Sequence, residues 1–242
     1  MFRNPIIMSL VCVCVGVAEA DMRDLQGDPE AVDSIQRMIA RFGGDVVWAR
    51  ARSLYVEYDG WRTEPNEPVM EYAWRDLEET WQRSEYVGQS FHTVAVLTPQ
   101  EAWYYRYASG NFIQVDEEAL AQRQARYPFG FYTILHAFAS GDPRITLEWQ
   151  APDTVIVRNS DGPAISQWRT DSTGALLEWR TVLADGREYA YLYGPMRSFG
   201  VVNFPEWGIA SDGSWRWNYA QVEISPEPPA VSFEPPARAL VE

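Results

Sequence analysis

Several glutamates in this sequence could act as general acids or bases. A glycosidase needs two carboxylic acids roughly 5 to 10 Å apart, and the candidates are Glu71, Glu78, Glu79, Glu85 and Glu148. Nothing in their spacing ranks one pair above another. In a chain with 34 acidic residues, some close pairs arise by chance.

The two histidines, His92 and His136, have no catalytic partner at a recognisable spacing. The sequence contains no G-x-S-x-G elbow, no H-E-x-x-H pair, no P-loop and no Rossmann glycine pattern. Its Asp-Gly pairs fall at predicted hairpin turns, where a preference for positive φ already explains them. We therefore predict that the protein is not an enzyme and has no catalytic residues, metal site or cofactor.

The first 20 residues are typical of a secretory signal peptide. A short positive start is followed by an apolar run from Pro5 to Val17, and Ala18-Glu19-Ala20 supplies small residues at positions −3 and −1. A membrane anchor is the alternative, but this run is shorter than the roughly 20 residues that span a bilayer as a helix. We expect cleavage near Ala20 and export of the remaining chain.

Both cysteines, Cys12 and Cys14, lie within this predicted signal peptide. Neither follows the small residue that a bacterial lipobox requires, so lipid attachment is not expected. The mature chain then has no thiol, which excludes disulfides, cysteine nucleophiles and thiolate metal sites. Its fold must be stabilised by core burial alone, and about 220 residues suffice for one core.

Charge and aromatic content restrict the classes of partner. The chain has 34 acidic and 20 basic residues and a net charge of −14, whereas nucleic-acid binding needs a concentrated basic patch. Nucleic acid is therefore not an expected partner. Phe, Trp and Tyr make up 14% of the residues. They are suited both to a β core and to the lining of a binding cavity.

Two regions have the pattern of amphipathic helices. Asp28-Pro29 and Gly43-Gly44 are start and stop signals for a helix over 30–42, and a short turn of helix is expected to place Trp48 on the same surface. Helices at 117–127 and 130–140 follow Asp116. The apolar residues on single faces are Val32, Ile35, Met38, Ile39 and Phe42 in the first region, and Phe131, Ile134, Leu135 and Phe138 in the second.

The rest of the chain alternates apolar and polar residues with a period of two, which predicts β-strands. Strands are expected from Ser53 through Tyr58 and at 68–76, 79–88, 91–98, 101–108, 111–115, 144–150, 153–159, 164–171, 175–184, 187–194 and 214–225. Their short connections predict an antiparallel meander. We expect one mainly β domain over 21–225 and a proline-rich tail over 226–242, which runs along an edge or frays because proline cannot pair inside a sheet.

This order of elements resembles the exported LolA/LolB-like lipoprotein-carrier superfamily, and more closely its uncharacterised exported relatives. The resemblance spans residues 29–236. Its motifs are the Gly-Gly helix end, Trp48 followed by Arg52-Ser53-Leu54, Gly200-Val201-Val202-Asn203-Phe204-Pro205, the Asp212-Gly213 turn, Val222-Glu223-Ile224 and Phe233 in the tail. The motifs are short, and the sequence departs from the lipoprotein carriers in its heavier strand aromatics and in having no alignable ligand-holding arginine.

The resemblance implies a single strongly curved antiparallel sheet, an unclosed half-barrel, whose concave face is covered by a few helices and binds acyl chains. Strand alternation, taken from Leu54, Val56 and Tyr58, then assigns the inward-facing residues. The predicted ligand-binding residues are Tyr58, Tyr72, Trp74, Trp103, Tyr105, Phe131, Ile134, Leu135, Phe138, Trp149, Trp215 and Trp217. Met70, Tyr107, Leu147 and Tyr219 share the predicted inward face.

Two functions of different classes follow from this prediction, and an enzyme is a third alternative, which requires two carboxylates, or a carboxylate and a histidine, to converge in the cavity. The leading hypothesis is a periplasmic carrier or sensor that binds a lipid or lipoprotein acyl chain, with an envelope membrane protein as a further candidate partner. The alternative is a carbohydrate-binding module in which exposed Trp and Tyr stack on sugar rings. A helix-covered cavity lined by aromatic residues favours the first, and a flat exposed row of Trp favours the second.

Overall fold

The computed structural model describes residues 25–160, 162–182 and 188–236. The predicted signal peptide and its cleavage site lie outside these residues. Within the described part of the chain, no helix is long and apolar enough to cross a membrane.

Sixteen strands and four helices make up this part of the protein. The strands are β1 Gln26–Gly27, β2 Ser53–Arg62, β3 Glu67–Asp76, β4 Gln82–Gly88, β5 His92–Leu97, β6 Ala102–Arg106, β7 Asn111–Gln114, β8 Ile145–Gln150, β9 Thr154–Asn159, β10 Ala164–Thr170, β11 Leu176–Val182, β12 Glu188–Tyr193, β13 Met196–Phe199, β14 Val202–Pro205, β15 Trp207–Ala210 and β16 Trp215–Ser225. The helices are α1 Pro29–Arg41, α2 Asp45–Ala49, α3 Glu117–Arg126 and α4 Phe131–Ser140, with a 3-10 turn at Tyr127–Phe129.

Fourteen of the strands form one sheet in the order β1-β8-β9-β10-β11-β12-β15-β16-β2-β3-β4-β5-β6-β7. All neighbours are antiparallel except β1 and β8. Two meanders are joined where β16 pairs with β2 along its whole length. In the described residues β1 and β7 lie at opposite ends of this order and do not pair with each other, so the sheet is not closed into a barrel. The predicted mainly β fold, with one curved antiparallel sheet and a few covering helices, is confirmed.

Helices α1 and α4 pack on the same face of the sheet. Ile35 of α1 and Leu135 of α4 are fully buried in one hydrophobic core with Leu54 and Val56 of β2. We call this the concave face and the opposite one the convex face. Helix α3 differs from the other two because none of its residues is buried.

The segment between β12 and β16 and the C-terminal tail differ from the prediction. The sequence pattern did not predict β13, β14 or β15, which are four residues each. Over its described residues, 226–236, the tail pairs with no strand of the sheet and packs on the protein. Its Phe233 packs on Trp81 at a centroid distance of 5.1 Å, and Arg83 donates to the carbonyl of Ser232 at 3.3 Å. The tail therefore crosses the convex face over β4 to β6.

Candidate functional site

A cavity of about 610 Å³ lies between the concave face and the segment from α3 to α4. Its volume falls within the range of roughly 300 to 1,000 Å³ that is usual for small-molecule sites. Half of its lining residues are aromatic: Tyr58, Tyr104, Tyr127, Phe129, Phe131, Tyr132, Trp179, Tyr189, Tyr191, Tyr193, Trp215, Trp217 and Tyr219.

Strand register brings these rings together, because residues directly opposite each other on paired strands face the same side. Trp179 of β11 lies opposite Tyr191 of β12, and the two rings stack at 5.5 Å with an interplanar angle of 17°. On β16, Trp215 and Trp217 are two residues apart and also stack at 6.1 Å and 17°. The sheet therefore presents a continuous aromatic surface to the cavity.

Two glycines allow the indole rings of β16 to lie flat on the neighbouring strands. A Cβ atom at Gly60 of β2 would lie 2.2 Å from the ring of Trp215, and one at Gly208 of β15 would lie 2.2 Å from the ring of Trp217. Because no carbon pair tolerates such a distance, any larger residue at either position would displace the ring that it meets.

A chain of tyrosine hydroxyls connects α4 to the sheet. Tyr58 and Tyr132 share a hydrogen bond through their hydroxyls, and the Tyr132 hydroxyl donates to that of Tyr219 at 3.3 Å. Burial raises the pKa of all three tyrosines well above 10. They therefore stay neutral at physiological pH and can donate as well as accept hydrogen bonds.

One carboxylic acid, Glu71, lies in the cavity wall with only 8% of its surface exposed. Burial raises its pKa above the ordinary value, while Arg75, Arg62 and the hydroxyl of Tyr86 act in the opposite direction. Among the described residues that line the cavity, Glu71 is the sole carboxylic acid and there is no histidine. The lining thus supplies no pair of acids of the glycosidase kind.

Arg62 holds its guanidinium between two rings, 5.0 Å from the centroid of Tyr86 and 5.0 Å from that of Trp215. Such cation–π contacts are stabilising and leave the edge of the guanidinium free to donate hydrogen bonds. Its buried Nε atom has no hydrogen-bond acceptor among the residues that the structure describes.

Arg75 also lines the cavity, and its Nη1 donates to Oε1 of Gln82 at 2.5 Å. The guanidinium lies 5.4 Å from the ring centroid of Tyr132. Like Arg62, it has a buried Nε without an acceptor, and neither arginine forms an ion pair with any residue in the described ranges.

Four of the predicted ligand-binding residues line the cavity: Tyr58, Phe131, Trp215 and Trp217. The first comes from β2, the last two from β16, and Phe131 begins α4. Phe131 joins the cavity to the core, since its ring stacks on Trp168 at 5.2 Å and on Tyr193 at 5.5 Å.

Four other predicted residues are on the concave side but do not line the cavity. Ile134 and Leu135 are fully buried in the core, and Phe138 packs on Trp168 at 5.4 Å. Trp149 is half-buried against the same core on β8, two strands away from the nearest lining strand. These side chains belong to the hydrophobic core on the concave side, or pack against it, and do not contact the open space of the cavity.

The predicted inward direction of Tyr72, Trp74, Trp103 and Tyr105 is wrong. Tyr58 lies opposite Glu71, so the residues of β3 that face the cavity side are at odd-numbered positions, and Tyr72 and Trp74 point to the convex side. Register through β4 and β5 places Trp103 and Tyr105 on that side as well, where they form a small separate cluster with Val94 and Val96. Met70 and Tyr107 share this error.

The error has a physical cause in the distribution of polar groups. On β3 the concave face carries Val69, Glu71, Ala73 and Arg75, which is the more polar of the two alternating sets. The convex set is more apolar because it is covered in its turn by aromatic pairs and by the tail. Apolar content alone therefore assigns β3 to the wrong face.

No protein-family model matches this sequence, and a search of curated proteins returns no match. Arg62, Glu71, Arg75, Trp179 and Tyr191 are among the lining residues that the sequence did not assign to a ligand-binding surface.

Proposed function

We propose that this protein is an exported, periplasmic carrier or sensor that binds an apolar ligand, a lipid or an acyl chain, in the cavity on the concave face of its sheet. The observation that carries the proposal is the cavity of about 610 Å³ between an aromatic sheet surface and a helical segment. An acyl chain in this space contacts rings on several sides and loses its exposed apolar surface, which favours binding by roughly 0.8 kcal/mol per methylene.

The position of the tryptophans supports an apolar ligand over a sugar. All 11 lie in the described ranges, and Trp207 is the one that counts as exposed, at 40%. A sugar-binding platform needs several exposed rings in a row. The rings of Trp179, Trp215 and Trp217 instead face a cavity that α4 partly covers.

The weak packing of helix α3 over the cavity would allow a ligand to enter and leave. Helix α3 has no buried residue, and its polar contacts to the sheet include the Gln124 side chain, which donates to the carbonyls of Thr98 and Pro99 at 3.2 and 2.9 Å. Elements with few buried contacts open at low cost in free energy. We infer that the ligand enters beside α3 and that α4 remains packed.

The direct test is quenching of tryptophan fluorescence by a fatty acid that is brominated in mid-chain. We expect saturable quenching in the wild-type protein, because three tryptophans line the cavity. Ala95→Phe adds a ring to the lining from β5 and should weaken binding about tenfold, since it displaces about two methylenes of the ligand. Ala108→Phe makes the same change at an exposed turn and should leave binding unchanged.

Two outcomes of this experiment contradict the proposal. One is the absence of quenching at every lipid concentration below the critical micelle concentration. The other is an equal effect of the two alanine substitutions. If a panel of oligosaccharides, tested in parallel, changed the fluorescence while the lipid did not, the carbohydrate-binding alternative would be favoured.

A further inference from the structure

We infer that the ligand is an anionic amphiphile, whose charged head group is bound by Arg62 and Arg75 while its apolar chain lies on the aromatic surface. This inference rests on the proposed function and specifies its ligand. Its basis is the excess of arginine over carboxylate in the lining of the cavity, where Arg62 and Arg75 share the single acid Glu71; an uncharged lipid would not require this excess.

Charge is distributed unevenly between the cavity and the rest of the chain. The whole sequence carries a net charge of −14, yet its cavity is lined by Arg62, Arg75, Arg123 and Arg126 against the single acid Glu71. With the four arginines and Glu71 ionised and the tyrosines neutral, the described lining therefore carries +3, the sum of four positive charges and one negative charge. Protonation of Glu71, which burial favours, increases this excess.

The two inner arginines form no close ion pair. None of the 12 ion pairs in the described ranges involves Arg62 or Arg75, whereas Arg158, outside the cavity, pairs with Glu148 at 2.7 Å. The single carboxylate of Glu71 interacts electrostatically with both guanidinium groups and balances at most one of their two charges. The buried Nε of each arginine also lacks an acceptor in the described residues. Because an unpaired buried donor is unfavourable, an anion that accepts hydrogen bonds from these guanidinium groups is favoured.

The aromatic neighbours hold both guanidinium groups in place before the ligand arrives. Arg62 is fixed between Tyr86 and Trp215, and Arg75 is fixed by Gln82 and the ring of Tyr132. Because the donors are already oriented, binding requires little further loss of side-chain entropy. Carboxylates and phosphates match the planar guanidinium fork and are the head groups expected here.

The test compares two ligands that have the same chain and different head groups. Stearic acid brominated at carbons 9 and 10 and the corresponding brominated stearyl alcohol are titrated into the full mature protein at pH 8, where the acid is ionised, and tryptophan quenching is recorded. The wild-type protein should bind the acid about tenfold more tightly than the alcohol or better, as expected for hydrogen bonds to a charged group. Sodium acetate, which lacks the chain, should not compete at millimolar concentration.

Substitutions then locate the head group. Arg62→Gln and Arg75→Gln should each reduce affinity for the acid about tenfold and leave affinity for the alcohol unchanged. The matched control is Arg216→Gln, which removes an arginine that lies 5.8 Å from the ring of Trp61 on the other face of β16. Arg62→Lys keeps the charge, and it should retain part of the preference for the acid.

The possible outcomes distinguish failure of this inference from failure of the proposed function. Equal affinity of the wild-type protein for acid and alcohol would overturn the inference while leaving the apolar site intact, and this comparison needs no variant to fold. Displacement of the acid by acetate alone would also overturn it, because the head and chain would not bind as one ligand. Quenching by neither brominated ligand would overturn the proposed function itself.

Discussion

The concave and convex faces of the sheet are both rich in aromatic residues, but they use them differently. On the concave face, Trp179 and Trp217 lie beside open space and beside charged groups. On the convex face, Trp103 is fully buried and Trp81 is covered by Phe233 of the tail. The two faces therefore differ in what their rings contact: the concave rings line open space, whereas the convex rings pack against other side chains.

The largest effect is expected at the closed end of the concave face. Trp168 is fully buried and stacks on Phe131, which lines the cavity. Trp168→Ala should lower the free energy of unfolding by about 3 to 5 kcal/mol, as measured by urea denaturation. It should also weaken lipid binding because Phe131 loses its support. A loss of stability with unchanged binding would contradict the link between core and cavity.

The matching change on the convex face separates packing from binding. Trp103→Ala should cost about 3 kcal/mol of stability, because the ring is fully buried on Val96 and Phe112. Affinity for the brominated lipid should stay at the wild-type value wherever the variant is folded. A loss of affinity in the folded variant would place ligand contacts on the convex face and contradict the assignment of binding to the concave face alone.

A smaller effect is expected from the tail. Phe233 is half-buried on Trp81, so Phe233→Ala should reduce stability by about 1 kcal/mol without any change in ligand binding. Hydrogen exchange of β4 to β6 should increase in the variant, since the convex surface of these strands is then exposed. Unchanged exchange would show that the tail does not protect this surface.

The smallest effect concerns Glu71 and depends on pH. Burial raises the pKa of Glu71 in the folded protein above its ordinary value of 4.5. The folded state therefore binds the proton more tightly than the unfolded state, and stability falls as pH rises from about 4.5 through the folded-state pKa. The glutamine of Glu71→Gln does not titrate. The free energy of unfolding of this variant, relative to that of the wild type, should therefore increase as pH rises over this range. A difference that is independent of pH would contradict this assignment.

The positions of the strands could be predicted from the sequence, but the faces of several could not. Alternation gave β3 at 68–76, against Glu67–Asp76 in the structure. The face of β3 depends instead on the turn at 63–66, which pairs Arg62 with Glu67 and hence Tyr58 with Glu71. Had that turn been used to set the register, it would have assigned Glu71 and Arg75 to the cavity side.

Short strands such as β15 were not predicted for a different reason. Strand β15 is four residues long, too short to show a period of two, although it places Gly208 beneath Trp217. On β16, by contrast, Trp215 and Trp217 were assigned to the correct face. Their alternation with the polar residues Arg216 and Asn218 is unambiguous, because the convex side of β16 is exposed at both positions.

The central claim is that the ligand occupies the concave cavity, and photo-crosslinking tests it most directly. A fatty acid with a diazirine in mid-chain is bound to the protein and irradiated, and the labelled peptides are mapped by mass spectrometry. Labels should fall on residues 127–133 and 215–219, which contribute to the cavity lining, and excess stearic acid should suppress them. Labels concentrated on Trp74, Trp103 or Phe233 would place the ligand on the convex face and contradict the account.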